Sequence, residues 1–316
     1  MKRSFWPIVC LSLIIAVLYS RAFFLGQDDS IQKKSIETQS AASQGTPPDP
    51  VPSLTSTALV LPPKSEPLAM PAMTYPPFTM QDESGKWVGA DNEIIESVLQ
   101  GMGYKVQWLE MSFARALEET KSGKYPAMTA WVEGGGSEEY ILFSDPISSI
   151  YSVLWQKKGD PFTWATYDDL KGRVIGASHY HYGAGFFEAA KAGKFELDMV
   201  AAKKPEVIHF RKLLQGKTDM FICELSLGLY LQKMHRPEFD NVVPFPTSVG
   251  PARPFSFAIS RKYFEGREEQ MQAFVAVFNK ELAAFAKEGH RKEIFDKYHM
   301  SIHMDKDGMI ISPVAQ

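Results

Sequence analysis

Hydrophobic positions recur along residues 67–300 at two spacings, and each spacing predicts one type of element. Apolar residues three or four positions apart follow Asp91, which predicts a helix that Asp91 caps and Gly103 ends. Short apolar runs bounded by turn residues predict strands. In chain order we expect strand Lys105–Leu109, a helix capped by Ser112, strands Ala127–Val132 and Ile150–Gln156, a helical turn at 167–172, strand Val174–Ala177, helix Gly183–Ala192, strand Leu197–Ala201, helix Pro205–Leu214, strand Asp219–Cys223, helix Leu225–Met234, strand Phe255–Ser260 and helix Glu268–Lys287. This alternation indicates an α/β fold with largely parallel sheets.

The first 25 residues have the pattern of an export signal. Lys2 and Arg3 precede the apolar run Phe5–Ser20, which is shorter than the roughly 20 residues of a spanning helix. Arg21 could reach the membrane surface and let the run extend to residue 25. Cleavage as a signal peptide and retention as an inner-membrane anchor both stay open. In either case the rest of the chain is expected in the periplasm.

Residues 26–66 predict a disordered linker. The segment contains no aromatic residue and is rich in Ser, Gln, Thr and Pro, so it cannot bury enough apolar surface to offset its ordering entropy. Aromatic residues return at Tyr75 and continue to Tyr298. We therefore expect a folded body over 67–300, followed by a peripheral C-terminal tail at 301–316.

Charge and composition exclude several classes of function. The chain has 34 Lys and Arg against 37 Asp and Glu, which leaves no basic excess for binding nucleic acid. Only Cys10 and Cys223 occur, so neither a disulfide framework nor a Cys-rich zinc site can form. His179 and His181 have metal-compatible spacing but no evident third ligand. No nucleophile elbow or phosphate-binding loop is present, and we expect no cofactor and no metal.

Several short motifs follow one another in a characteristic order. They are TYPPF (74–78), DESGKWVGADNEI (82–94), FARALEETKSGKYPA (113–127), FSDP (143–146), YDDLKGRVIGA (167–177), LLQGKTDMFI (213–222) and LGLYLQK (227–233). Each motif is weak alone, but their order and spacing over residues 75–260 are specific. The chain resembles the bacterial extracellular (periplasmic) solute-binding proteins of family 3, the polar amino-acid-binding type that serves ABC transporters.

The resemblance implies a two-lobed periplasmic-binding-protein fold of type II. Its sheets would be mixed and mostly parallel, and two strands near Ser152–Gln156 and Gly250–Phe255 would form the hinge. Lobe one would comprise 67–152 plus 254–300, and lobe two 157–250. Such a protein is expected to be a monomer that encloses a small polar ligand between its lobes.

The resemblance also implies a set of ligand-binding residues. These are Tyr75, Phe113, Arg115, Trp131, Tyr182, Gly183 and Glu224. Tyr75 would pack over the ligand, and Glu224 stands where the family has an aspartate that accepts the ligand ammonium. Tyr182 and Gly183 would open a helix that donates hydroxyl and N–H groups. Structural roles stay open for each: a turn aromatic for Tyr75, core packing for Phe113 and Trp131, and a helix-start carboxylate for Glu224.

One departure from the family concerns the anion-binding group. Family members that bind amino acids carry T-P-E-R before FSxPY, and that arginine binds the ligand carboxylate with two parallel hydrogen bonds. Here the stretch 133–139 reads EGGGSEE, and no arginine occurs between Arg115 and Arg173. Either Arg115 or a backbone nest at Gly134–Gly136 could replace it. A flexible surface loop at 133–139 is the plainer alternative.

Three functions remain compatible with these residues. The first is a solute-binding protein for ABC-type import, which would dock on a membrane permease. The second is a ligand sensor that signals to a membrane partner. The third is a dehydratase-type enzyme on the same fold, with Glu224 as the general acid. The motifs favour binding over catalysis.

Overall fold

A computed structural model describes residues 64–305 of the chain, apart from 135, 181, 184, 203 and 302–303. The predicted targeting segment at 1–25 lies outside the described residues, as do most of the predicted linker and most of the predicted tail. The strands are β1 Leu68–Ala72, β2 Met80–Gln81, β3 Trp87–Val88, β4 Val106–Glu110, β5 Ala127–Val132, β6 Ile141–Ile150, β7 Ser152–Lys157, β8 Val174–Ala177, β9 Glu196–Met199, β10 Met220–Glu224, β11 Val242–Ser248 and β12 Arg253–Ser260. The helices are α1 Ala90–Gly101, α2 Phe113–Lys121, α3 Phe186–Lys191, α4 Pro205–Leu214, α5 Leu225–Met234, α6 Glu268–Lys287 and α7 His290–Lys297.

The strongest local patterns predicted the limits of their elements. Strands β5 and β8 and helices α4, α5 and α6 begin and end at the predicted residues. Ser112 caps α2 as expected, because its Oγ accepts the N–H of Arg115 at 3.4 Å. Strands β1, β2, β3, β6 and β11 and helix α7 were not predicted. In β6 the motif residue Pro146 and several serines hide the apolar alternation.

The predicted cap at Asp91 is wrong. Helix α1 begins after Gly89, and Asp91 lies buried in its first turn. The N–H groups of Ala90 and Asp91 donate instead to the carbonyl oxygens of Pro77 and Phe78. Carbonyl groups of the turn between β1 and β2 therefore accept the first N–H groups of the helix, and the Asp91 carboxyl does not cap it.

The first lobe comprises β1–β6, β12, α1, α2, α6 and α7. Strand β12 lies between β5 and β6 in an antiparallel sheet, and β1 pairs with β4 in parallel beside it. Helices α1, α6 and α7 cover one face of these strands and bury their apolar positions there. Phe257 on β12 meets Phe278 on α6 with ring centroids 4.8 Å apart, at the centre of this core.

The second lobe comprises β7–β11 and α3–α5. Its five strands lie in the order β11-β7-β10-β8-β9, with a separate apolar cluster on each face. Helix α5 packs so closely on the buried Trp155 that a Cβ at Gly228 would lie 2.0 Å from its Cζ2 atom. A glycine is therefore needed at this contact.

The sheets are mixed, as predicted, but they contain less parallel pairing than expected. Within the described residues three ladders are parallel (β1 with β4, β8 with β9 and with β10), and five are antiparallel. The prediction of mostly parallel sheets is corrected in this respect. The physical reason is the path of the chain: it enters the second lobe along β7 and leaves along β11, so these neighbours must run in opposite directions.

The chain passes between the lobes at two adjacent points. The first crossing is Tyr151, between β6 and β7, and the second is Val249–Ala252, between β11 and β12. They lie side by side, because the N–H of Val249 donates to the Ser152 carbonyl at 2.7 Å and Arg253 pairs with Ile150. The two-lobed type II fold is confirmed. The residue limits expected for each lobe stay a prediction, since sheet membership does not show which segments move together.

The core of the first lobe reaches beyond the body expected at 67–300. Lys64 Nζ donates to the Met102 carbonyl at 2.7 Å and lies over the Tyr104 ring. Met304 is buried in the same core as Phe295 and Met300. The first part of the expected tail is thus internal rather than peripheral. Over the stretch that the structure describes, none of the helices combines the length and the apolarity needed to cross a membrane.

Candidate functional site

A cleft lies between the two lobes beside both crossings. Its wider part has a volume of about 360 Å³, and a narrower part of about 30 Å³ continues toward the second lobe. Residues from both lobes line it, and Tyr75, Ile150, Tyr180 and Arg253 line both parts. A ligand held here would contact both lobes and the crossing strands at once, which is the geometry that couples binding to lobe closure.

Aromatic rings form the first-lobe wall of the cleft. Phe113 lies 6.1 Å from Tyr75 and 6.0 Å from Trp131 between ring centroids, and Tyr75 lies 6.1 Å from Phe255. Phe113 is 40% exposed although it is a large apolar side chain, because the Ser112 cap starts α2 at the edge of the cleft. Such a wall suits the aliphatic or planar part of a small ligand and favours a cation above a ring face.

Tyr75 occupies the turn between β1 and β2 and touches both lobes. Its backbone N–H donates to the Thr79 carbonyl at 2.7 Å, which closes the turn, and its ring stacks on Phe78 at 5.6 Å. The same ring packs against the core of the first lobe and against one core of the second. Tyr75, Phe113 and Trp131, which the family resemblance implied as ligand-binding residues, therefore lie together at the cleft.

Glu224 ends β10 and caps α5. Its Oε2 accepts the N–H of Leu227 at 2.7 Å, whereas its buried Oε1 has no hydrogen-bond partner among the described residues. Burial raises the pKa of Glu224 to about 7, and the N–H of Leu227 opposes the shift. One oxygen thus fixes the side chain to the helix, and the other is available to accept a hydrogen bond from a ligand.

Asp91 supplies a second buried carboxyl that the site prediction missed. It lines the wider part of the cleft and is 1% exposed, and neither carboxylate oxygen has a hydrogen-bond partner within the described part of the chain. Burial and the Glu224 charge raise the pKa of Asp91 to about 8, and the nearby Ser148 hydroxyl and Arg291 guanidinium oppose the shift. Its place in the motif 82–94 was a signal, but the expected capping role concealed it.

Glu206 adds a third carboxyl, in the narrow part of the cleft. Burial raises the pKa of Glu206, and a hydrogen bond from Tyr180 opposes the shift. Nothing local in the sequence distinguishes this residue from an ordinary acidic residue in the first turn of α4. Its position follows from the packing of α4 beside β10.

Arg253 is the first residue of β12 and lines both parts of the cleft. Its side chain is partly buried. Burial lowers its pKa, and the neighbouring Tyr75 and Glu224 oppose that effect. An arginine stays charged under such conditions. The site prediction missed Arg253; the available signal was an arginine enclosed by prolines at the predicted hinge.

Arg115, the expected source of positive charge, lies elsewhere. Its side chain is 62% exposed, and Nε donates to Glu119 Oε1 at 2.7 Å, one turn along α2. It does not line either part of the cleft. The expectation that Arg115 faces the ligand is corrected: the residue two positions after the exposed Phe113 points to another side of the helix.

Tyr182 and Gly183 do not open a helix as predicted. Helix α3 begins at Phe186, and the Tyr182 hydroxyl accepts the N–H of Ser178 at 2.8 Å. Gly183 has φ +124°, and a Cβ there would lie 2.9 Å from the Val249 carbonyl oxygen. Tyr182 lines the narrow part of the cleft, whereas Gly183 lets its loop approach the second crossing.

The remaining candidates for an anion or metal site are the segment around Gly134–Gly136 and the pair His179 and His181. Ser137 Oγ donates to the Gly134 carbonyl at 2.8 Å, and neither Gly134 nor Gly136 lines the cleft. Gly135 and His181 lie outside the described residues, and His179 lines the wider part of the cleft. The described side chains include no cluster of three or more His, Cys, Asp or Glu able to hold a metal ion.

Comparison with known proteins agrees with this geometry. The sequence profile of the bacterial extracellular solute-binding proteins, family 3, matches residues 70–301. The chain belongs to this family. The lysine/arginine/ornithine-binding periplasmic protein of Escherichia coli (strain K12) is 25% identical over 238 residues, which cover 71% of this chain and 84% of that protein. A probable amino-acid ABC transporter-binding protein of Haemophilus influenzae is 24% identical over 222 residues, covering 70% and 79%.

The fold also occurs in a histidine kinase sensor domain. The crystal structure of a histidine kinase sensor domain similar to periplasmic binding proteins superposes with a TM-score of 0.57. The sequences are 21% identical, and the match covers 73% of this chain and 95% of that chain. The likeness shows that the two proteins share a fold.

Proposed function

We propose that this family 3 protein captures a small amino-acid-like solute between its two lobes in the periplasm and passes it to an ABC-type importer. The observation that carries the proposal is the cleft, in which an aromatic wall faces two buried carboxyls. Both oxygens of Asp91 and Oε1 of Glu224 lack a hydrogen-bond partner among the described residues. Buried polar atoms without partners are costly, so a ligand that supplies donors gains affinity there.

The relatives support the class of solute. One is named for binding lysine, arginine and ornithine in the periplasm, and another for serving an amino-acid ABC transporter. In our proposal Glu224 accepts the ligand ammonium with Oε1, while Tyr75, Phe113 and Trp131 enclose the side chain. The export segment at 1–25 would bring the protein to the periplasm, and an uncleaved segment would tether it to the inner membrane.

A ligand screen tests the proposal. The purified chain is heated with each L-amino acid, and with amines, peptides and organic acids, and hits are titrated by calorimetry. An amino acid that binds should stabilise the folded protein by about 2.7 kcal/mol at a concentration 100 times its Kd. We therefore expect it to raise the melting temperature. Glu224→Ala should abolish the shift, whereas Glu269→Ala on the exposed face of α6 should keep it. A screen in which no amino acid shifts the transition would reject the proposal.

Ligand sensing is the second candidate, favoured by the likeness to a histidine kinase sensor domain. Binding and lobe closure would be the same, and the readout would be a membrane partner instead of a permease. Genes for a permease and an ATPase beside the gene for this protein would favour import. A neighbouring kinase gene would favour sensing.

A dehydratase activity is the third candidate, and the buried Glu224 favours it. A carboxyl with a pKa of about 7 is poised to donate a proton at neutral pH. Incubating each hit with the protein and following it by NMR separates binding from turnover. A bound amino acid that is recovered unchanged excludes the enzyme for that ligand.

A further inference from the structure

The charges in the cleft are unequal. Three carboxyls, Asp91, Glu206 and Glu224, line its two parts. Among the described residues that line them, Arg253 is the single lysine or arginine. A complementary ligand therefore carries more positive than negative groups, with one negative group placed at Arg253.

The backbone holds Arg253 in a defined position. It pairs with Ile150 across the sheet, directly after the second crossing, and Pro254 restricts it to an extended conformation. Tyr75 and Glu224 are its electrostatic neighbours, so the guanidinium and the Glu224 carboxyl lie in the same region of the cleft. A carboxylate and an ammonium on one carbon atom match this pair.

The wider part of the cleft adds aromatic rings and a further carboxyl. Asp91 lies in the wider part together with Phe113 and Trp131, and it is buried with both oxygens lacking hydrogen-bond partners in the described region. A ligand chain that runs along the aromatic wall and ends in a cation would supply those donors. Arg115, which is paired with Glu119 on the surface, does not enter this arrangement.

We propose that Arg253, on the crossing strand, binds the α-carboxylate of the ligand, and that the ligand is an amino acid with a cationic side chain directed toward Asp91. The inference rests on the proposed function and adds the anion-binding residue and the substrate class. It places the anion contact at the joint between the lobes, where a bound carboxylate adds contacts to the crossing segment.

A comparison of ligands with and without the carboxylate tests the role of Arg253. Kd is measured by calorimetry for L-arginine and agmatine, and for L-lysine and cadaverine, which differ only in that group. The unmodified protein should bind each amino acid at least about 30-fold more tightly than its amine. Arg253→Gln should remove that preference by weakening the amino acid and leaving the amine nearly unchanged, whereas Arg115→Gln should keep both values.

The outcomes separate this inference from the proposed function. If the unmodified protein binds arginine and agmatine equally, or if Arg253→Gln weakens both ligands alike, the role of Arg253 is overturned while solute binding stands. If only a neutral or acidic amino acid binds, the substrate class is overturned. If no amino acid binds, the proposed function fails. If Arg253→Gln does not fold, Arg253→Lys replaces it in the same comparison, because lysine keeps the charge without the two-pronged contact. The ligand pairs on the unmodified protein test the preference for a carboxylate without any variant.

Discussion

Burial controls the proton occupancy of the cleft carboxyls. Folding transfers Glu224 and Asp91 from water to sites that are 5% and 1% exposed, which disfavours their charged forms. The pKa of Glu224 rises to about 7 and that of Asp91 to about 8. At neutral pH the empty cleft therefore holds protons that a cationic ligand would displace, so binding should release protons to the buffer.

We expect the empty protein to lose stability as the pH rises from about 5 to 8. A carboxyl whose pKa is higher in the folded state binds more protons there than in the unfolded state, so folding is favoured below the unfolded pKa and weakened as pH approaches the folded pKa. For Glu224 the shift from 4.5 to about 7 corresponds to roughly 3 kcal/mol. Glu224→Gln should remove the part of the pH dependence that comes from Glu224 and leave the part that comes from Asp91, as measured by urea unfolding at each pH.

The control for this measurement is Glu269→Gln, which removes the same charge from an exposed position on α6. It should leave the pH dependence of the unfolding free energy as in the unmodified protein. An equal slope in the Glu224→Gln variant would show that Glu224 is ionised in the empty cleft.

At the scale of elements, the second crossing is braced by the loop before α3. Gly183 on that loop lies in van der Waals contact with Gly250 on the crossing, because a Cβ at Gly250 would lie 3.6 Å from the Gly183 Cα. The loop also carries Tyr182, whose hydroxyl accepts a hydrogen bond from the N–H of Ser178. The three residues connect the narrow part of the cleft to the segment that joins the lobes.

Gly183→Ala should destabilise the protein and weaken ligand binding. The added Cβ would meet the Val249 carbonyl at 2.9 Å, and a backbone atom there cannot move without shifting the crossing. The matched control is Gly193→Ala, which also has positive φ but no atom within 4 Å of the new Cβ. We expect a loss of about 1 kcal/mol in the control and at least about 2 kcal/mol for Gly183→Ala, measured by urea unfolding.

Should the two glycine variants lose the same stability and bind ligand equally well, the contact with the second crossing would have no role. A Gly183→Ala protein that is as stable as the unmodified protein would contradict the close approach itself.

At the scale of the whole molecule, the two lobes have separate cores. Phe257 and Phe278 lie in one core, whereas Trp155, Phe210 and Phe186 lie in clusters of the second lobe. The backbone connects these cores only at the two crossings within the described residues. Tyr75 packs against a core of each lobe, and Lys233 on α5 contacts His299 after α7. Cooperativity between the lobes therefore depends on these contacts and on what fills the cleft.

Calorimetry should detect this division. Without ligand we expect the calorimetric enthalpy of unfolding to exceed the van't Hoff enthalpy, because the lobes do not unfold as one unit. A saturating ligand contacts both lobes, so it should raise the transition temperature and bring the ratio toward one. A ratio of one in the empty protein would mean that the lobes are already coupled without ligand.

Local sequence determined the elements with strong patterns and the order of the motifs. Helices α4, α5 and α6 follow from apolar spacing and from their first and last residues, interactions that act over a few positions. The motifs indicated the family and brought Tyr75, Phe113, Trp131 and Glu224 to notice, and all four line the cleft. The expected ligand contacts of these residues stay predictions.

Tertiary structure alone decided which charges meet. Asp91, Glu206 and Arg253 are far apart in the chain, and their proximity depends on the packing of α1, α4 and β12 around the two crossings. Arg115 illustrates the converse, since a position near the exposed Phe113 in sequence lies on another side of α2. Spacing and caps act through neighbours along the chain, whereas a cleft between lobes is made by contacts between residues that have no local relation.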